Sequence, residues 1–213
     1  FYQFGAPEEI LYETKPHIGT NKLQEVVKKL REYLIKQGCS IRFNAELTDI
    51  VIKDNKLVEI VINKNEHLAV KTLVLAVGNS SRKLFRRLYE RTVAIEPKNF
   101  AIGFRVEHPQ QLIDEIQYGD SAGHPALAPA DYKITFNENG IGVYSFCMCP
   151  GGLVIAASSE KDHLVTNGMS TYERNSGYAN SALVVGITQE SLRDIQAPIP
   201  FKGIFLQESL EKK

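Results

Sequence analysis

Tyr144–Ser170, YSFCMCPGGLVIAASSEKDHLVTNGMS, holds two of the three cysteines and both methionines of the 213-residue chain, set around a Pro-Gly-Gly break. Tyr144 to Met148 is expected to form a strand. Alternate side chains of a strand share a face, so Cys147 and Cys149 are expected to point the same way and Met148 the other. Pro150 removes a ladder donor and Gly151-Gly152 permit positive φ, which ends that strand. The apolar run Leu153 to Ala157 is expected to be the returning strand. Asn167-Gly168 reads as a tight turn that leaves Met169 and Ser170 on a loop. Two strands would then deliver soft sulfur and small residues to their ends.

Cys147 and Cys149 admit several readings. Positions i and i+2 of a regular strand lie roughly 6.6 Å apart with parallel side chains, which is poor disulfide geometry. Two thiolates are half of a four-ligand zinc site, but no CxxC or HxxxH spacing accompanies them, and Cys39 sits beside an expected helix end. Buried, inert thiols and a functional thiol or backbone site both stay open.

Composition excludes more than it selects. The hydrophobic fraction is 43% and the formal net charge is zero. That leaves no electrostatic case for nucleic acid or an anionic membrane. Three cysteines do not make a disulfide framework and fit a reducing, cytoplasmic setting. No signal peptide or long apolar run is apparent. Phe1 is not an initiator methionine, and Glu208 to Lys213 stop inside a helix-like pattern, so the chain is expected to be an internal fragment of a longer protein.

The remaining chain reads as α+β (α/β). Residues 1–19 are loop, and Lys15, His17 and Thr20 cluster before a helix start, where free N–H groups favour anions or a loop is simply solvated. A helix capped by Thr20 or Asn21 carries Leu23, Val26, Val27, Leu30, Tyr33 and Leu34 at helical spacing and closes at Gly38. Ser40–Ala45 is expected to be a strand that feeds a meander over 47–52, 57–62 and 67–71, whose alternation suits one wet face. Leu73–Val77, LVLAV, is expected to be a strand buried on both faces, followed by a glycine turn and a serine-capped helix over 82–89. Beyond Glu96 the strands 100–106, 132–136, 142–148, 153–157 and 182–187 suggest a mostly antiparallel sheet. Pro109 is expected to start a short helix through Ile116, 172–180 to be short helix or long loop, and 201–210 to be an amphipathic helix. No GxxxxGK[ST], HExxH, GxSxG or GxGxxG motif is present.

Several stretches together resemble one family, the uncharacterised bacterial FAD-dependent dehydrogenases related to the two-dinucleotide-fold flavoproteins. They are KPHIGTNKL (15–23), LVLAVGNSSRKLF (73–85), FAIGFRVEHPQQLID (100–114), QYG (117–119), ADYKI (130–134), YSFCMCPGG (144–152), TNGMS (166–170) and ERNSGYANSALVV (173–185). The resemblance implies three parts: a partial FAD-binding domain over 1–95, an inserted substrate-side domain over 96–200, and a helix over 201–213 returning to the first. It implies FAD as cofactor, NAD(P)H as an electron donor, and a small-molecule substrate. Carried over, Ala45, Leu47, Ala76, Gly78, Gly19 and Thr20 are cofactor-side positions. Lys15, Arg105, Asn167 and Met169 are substrate-side positions. His17 is a candidate proton carrier, and Cys147 and Cys149 are either a dithiol that exchanges electrons with flavin or the lining of the pocket. Arg105 suits a carboxylate or phosphate. A ligand- or partner-binding module without catalysis is the alternative, and a tRNA-modifying flavoprotein a more distant one that the neutral charge disfavours.

Overall fold

A computed structural model describes residues 1–212. Lys213, the last residue of the expected returning helix, lies outside them. Two short 3-10 turns at Tyr2–Phe4 and Glu8–Leu11 lead into helix α1, Thr20–Lys36, whose Val26 is fully buried. Gly38 lies just past its end at φ 91°, a conformation open to glycine. The start differs from expectation. Gly19, at φ 81°, takes the capping position, and the Thr20 hydroxyl is spent on the Ser170 carbonyl at 3.1 Å.

The meander forms as an antiparallel sheet of β1 (Leu47–Lys53), β2 (Lys56–Ile62) and β3 (Glu66–Ala69) in that order. Ile50 on β1 packs against Leu84 and Leu88 of helix α2, Arg82–Glu90, and these three centre a cluster completed by Leu47, Leu57, Ile60, Leu73, Val93 and Ile95. Ser81 precedes α2, but its hydroxyl donates to the Val77 carbonyl rather than capping the helix.

Two expected strands are absent here. Ser40–Ala45 is irregular: Asn44 adopts φ 54°, and Arg42 is fastened to Glu66 at the sheet edge by bonds of 2.7 and 2.6 Å. Leu73–Val77 has no strand pairing and Val74 is 83% exposed. An apolar run becomes a strand only where another strand hydrogen-bonds to it, whatever its faces could bury. None of the described strands pairs with it.

The second part is an antiparallel sheet ordered β4-β9-β6-β5, made from β4 (Phe100–Pro109), β5 (Thr135–Glu138), β6 (Ile141–Ser145) and β9 (Tyr178–Ile187). A separate hairpin joins β7 (Gly152–Ala156) to β8 (Thr166–Ser170). Helix α3, Gln110–Tyr118, starts after Pro109, as a residue without an N–H allows. Register places Phe104, Leu183, Val143 and Phe136 on one sheet face and Arg105 and Asn180 on the other.

Three local expectations in this part are corrected. Strand β6 ends at Ser145, because Phe146 turns to donate to the Ala182 carbonyl and Cys149 to the Asn180 carbonyl, so 146–149 is no longer a regular strand. Cys147 and Cys149 therefore lie outside a regular strand, where alternation no longer fixes their faces, and one is exposed and the other half-buried. Strand β7 pairs forward with β8 instead of returning along β6, and Asn167-Gly168 lies inside β8 rather than in a turn. Residues 172–177 are loop, and β9 begins at Tyr178, earlier than its apolar core suggested.

The C-terminal helix α4, Lys202–Glu211, follows a 3-10 turn at Ile199–Phe201 and lies against α2. Arg82 pairs with Glu211 and Arg86 with Glu208, each at 2.8 Å, and the rings of Tyr89 and Phe201 meet edge-on at 5.2 Å. The chain thus mixes helices with antiparallel sheets, the expected α+β class.

A further ion pair ties α2's end to the meander. The Arg91 guanidinium donates to Asp49 through Nε at 2.9 Å and holds its carboxyl below the usual carboxylate range. A depressed carboxylate stabilises the fold above its unfolded pKa of about 3.9, and that contribution is lost as pH falls through the folded value. Asp49→Asn is expected to cost about 1 kcal/mol at pH 7, given Arg91's partial exposure. Urea unfolding from pH 7 to pH 2 should show the gap between the two proteins closing in the acid range.

Candidate functional site

The site is organised by β9, where Asn180 is completely buried. Its side-chain carbonyl accepts Arg105 Nη1 at 2.7 Å, while its backbone N–H and C=O bridge Cys149. Arg105 is therefore held on β4 by one edge of its guanidinium. Its Nε is buried and has no partner, and so are Nδ2 of Asn180 and Nε of Arg174. Among the described residues neither Arg105 nor Arg174 forms a salt bridge with a carboxylate. Glu107, two residues along β4, gives a carboxylate oxygen to the Val154 N–H at 3.0 Å.

Gly168 of β8 closes over this group. A Cβ on Gly168 would fall within 2.7 Å of Asn180 Oδ1, Arg105 Nη1 and Cys149 Sγ, so those three atoms converge on a spot that only a glycine can cover. The Pro-Gly-Gly break serves the same packing. Gly151 adopts φ 55°, a Cβ on it would collide with the Arg174 backbone, and its N–H donates to Gln110 Oε1 at 2.9 Å. Gln110, nearly buried at the start of α3, also donates to the Ala130 carbonyl at 2.9 Å and Asp114 at 2.8 Å. Burial pushes the Cys149 thiol up, opposed by the positive charges of Arg105 and Arg174.

The loop before α1 docks on the strand end after β8. His17 Nε2 donates to the Thr171 carbonyl at 2.9 Å, which fixes its proton on that nitrogen. Asn21 accepts the Tyr172 N–H at 3.0 Å and donates to Glu173, and Lys22 Nζ lies 2.9 Å from the centre of the Tyr172 ring. Gly19 abuts the Tyr172 backbone with no space for a Cβ. His17, Gly19 and Thr20 are thereby brought to the base of the β7–β8 hairpin, whose Gly168 touches Arg105 and Cys149.

The other sequence candidates fall elsewhere. Lys15 is well exposed and pairs with Asp131 at 2.8 Å. Asn167 and Met169 flank Gly168, and strand alternation turns their side chains to the hairpin's other face. Cys147 is exposed beside the cluster, not in it. Leu47 packs in the meander core beside Ala45, while Ala76 and Gly78 lie on the exposed irregular segment, with open space around Gly78. Asn180, Arg174 and Gln110 were not singled out from sequence. Arg174 and Asn180 do sit in the ERNSGYANSALVV stretch, but a lone arginine and an asparagine in a strand carry no spacing signal. Among the described residues no group of three or more metal-binding side chains exists.

Comparison with known proteins gives this arrangement a family. Residues 99–213 match the family described as FAD-dependent protein, C-terminal domain-like, and the chain belongs to that family. Over 209 residues, 97% of this chain, it is 47% identical to an uncharacterized protein of Clostridium beijerinckii, of which the match covers 38%. Over 88 residues it is 31% identical to the D-amino acid dehydrogenase of Helicobacter pylori, covering 41% of this chain and 20% of that one. The chain thus spans well under half the length of these relatives.

Gly168→Ala is expected to destabilise the fold by about 2 kcal/mol, because a methyl group forced into a packed contact displaces its neighbours. Gly142→Ala, where a Cβ meets open space, provides the control. A urea titration of both variants measures the difference.

Proposed function

We propose that this chain is the middle part of an FAD-dependent oxidoreductase, a dehydrogenase whose substrate is a small molecule rather than a nucleic acid or a membrane. The observation that carries the reading is the family match over 99–213, supported by the partial likeness to a protein named a dehydrogenase. The start of that match at residue 99 supports a division between a partial FAD-binding part over 1–95 and a substrate-side part beyond it.

The residues present suit a flavin nucleotide on one observation. Residues 73–78 expose backbone with no ladder partner among the described strands, and the side chains at Ala76 and Gly78 are small. Ala76, Gly78, Ala45 and Leu47 would hold the cofactor by close backbone approach. When bound, FAD supplies the acceptor or donor of a hydride. This chain's residues then do three things. Arg105, fixed by Asn180, orients a charged group of the substrate. Cys149 and the hairpin exclude water from it. His17, with Nε2 committed to Thr171, has Nδ1 left to take up a proton.

The test is the visible absorption spectrum of the whole purified protein. Bound flavin, bleached by substrate or by NAD(P)H as electron donor, is the expected result. A colourless protein that also fails to take up added FAD would falsify the reading and leave a binding module. The same spectra in a Cys147→Ser, Cys149→Ser double variant separate the two roles of the thiols. Unchanged bleaching makes them lining residues, and a lost thiol–flavin exchange makes them a dithiol.

A further inference from the structure

We propose that Arg105, braced by Asn180, and Arg174 form a binding site for the carboxylate of a small organic acid, with the Cys149 thiol at its edge. Two guanidinium groups beside one buried amide are an expensive arrangement without a negative partner, since a buried unpaired donor loses its water and gains nothing in return. Three residues around Cys149 each leave one such donor: Arg105 Nε, Arg174 Nε and Asn180 Nδ2. Six other arginines pair with carboxylates, among them Arg42 with Glu66, Arg82 with Glu211 and Arg91 with Asp49, while Arg31 lies over the Phe43 ring. Arg105 and Arg174 pair with none among the described residues. Glu107, the nearest acid in sequence on the same strand face, is held by the Val154 backbone.

The geometry selects a carboxylate. Arg105 gives Nη1 to Asn180 and is left with the edge that carries Nε. That edge presents two parallel N–H groups, the fork that a planar carboxylate accepts with both oxygens. Asn180 is locked at the same time, because its carbonyl oxygen is occupied and its backbone is bridged to Cys149. Its amide Nδ2 can therefore only donate. Both arginines keep partial solvent exposure through atoms other than their buried Nε, so an anion meets the outer guanidinium nitrogens first and the fork engages as the side chain turns to it. The field they make also acts on Cys149, where both arginines oppose the effect of burial. As a binding site this stands without flavin. As the substrate class of the enzyme, an organic acid, it rests on the flavoprotein reading above.

Cys149 provides a probe that needs no cofactor and no known substrate. Iodoacetate and iodoacetamide alkylate the same thiolate, but only the first carries a carboxylate. In the whole protein bearing Cys147→Ser, alkylation of the peptide containing residue 149 is followed by mass spectrometry with each reagent. The iodoacetate-to-iodoacetamide rate ratio is expected to be about fivefold or more above that of the same protein unfolded in urea, in line with charge-assisted binding. Arg105→Gln and Arg174→Gln should each bring it down towards the unfolded ratio, and millimolar propionate should slow iodoacetate. An unraised ratio, a raised ratio that survives both substitutions, or protection by phosphate but not by propionate overturns the proposal.

A second readout covers a thiol that reacts with neither reagent. Propionate should raise the thermal unfolding midpoint relative to sodium chloride of equal ionic strength, and Arg105→Lys should abolish the rise by removing the fork. An unreactive thiol together with no rise, or a rise that Arg105→Lys preserves, also overturns it. Neither readout involves flavin, so their failure is separate from that of the visible spectrum.

Discussion

One hydrogen bond, Arg105 Nη1 to Asn180 Oδ1 at 2.7 Å, fixes the part of the molecule that chemistry would use. It joins β4 to β9 on one face of the sheet, at a point where Asn180 is sealed from water. A charged hydrogen bond in such a place is stronger than one on the surface, and its loss would leave the buried side-chain carbonyl of Asn180 unanswered. The packing around it follows from that constraint. Cys149 bonds to the Asn180 backbone, Gly168 lies over the three converging atoms, and Gly151 lets the Arg174 backbone pass close by. Gln110 then ties the Gly151 turn to α3.

The same hairpin connects this cluster to the first part of the chain. His17, Thr20 and Asn21 all spend their polar atoms on residues 170–173, immediately after β8. At the other end, α4 is bound to α2 by two arginine–glutamate pairs and a ring contact. The meander part and the sheet part are therefore joined by polar contacts at two separate places.

Two Asn-Gly pairs show what pattern reading from one sequence reaches. At Asn139-Gly140 both residues have positive φ, 51° and 82°, and the pair turns β5 into β6. At Asn167-Gly168 the same dipeptide lies in the middle of β8, and the glycine is there because Asn180, Arg105 and Cys149 leave no room for a side chain. Local propensity is identical in the two cases; packing decides. LVLAV at 73–77 is the converse case. Its composition signals a strand buried on both faces, and none of the described strands pairs with it.

Sequence by itself determined the class and much of the element plan: α1 with its terminal glycine, the meander, α2, the helix after Pro109 and the antiparallel strands. These depend on hydrophobic period and on turn and helix-end residues, all of which are local. The family resemblance grouped Arg105, Cys147, Cys149, Asn167 and Met169, and of these the structure brings Arg105 and Cys149 together at Gly168. Only the tertiary structure decided that β7 pairs with β8, that Cys149 is half-buried while Cys147 is exposed, and that Asn180 and Arg174 belong with Arg105. Those outcomes come from contacts between residues far apart in the chain, such as Arg105 with Asn180 and His17 with Thr171. A buried asparagine has no periodic signature, because what it contributes is set by the one partner that folding brings to it.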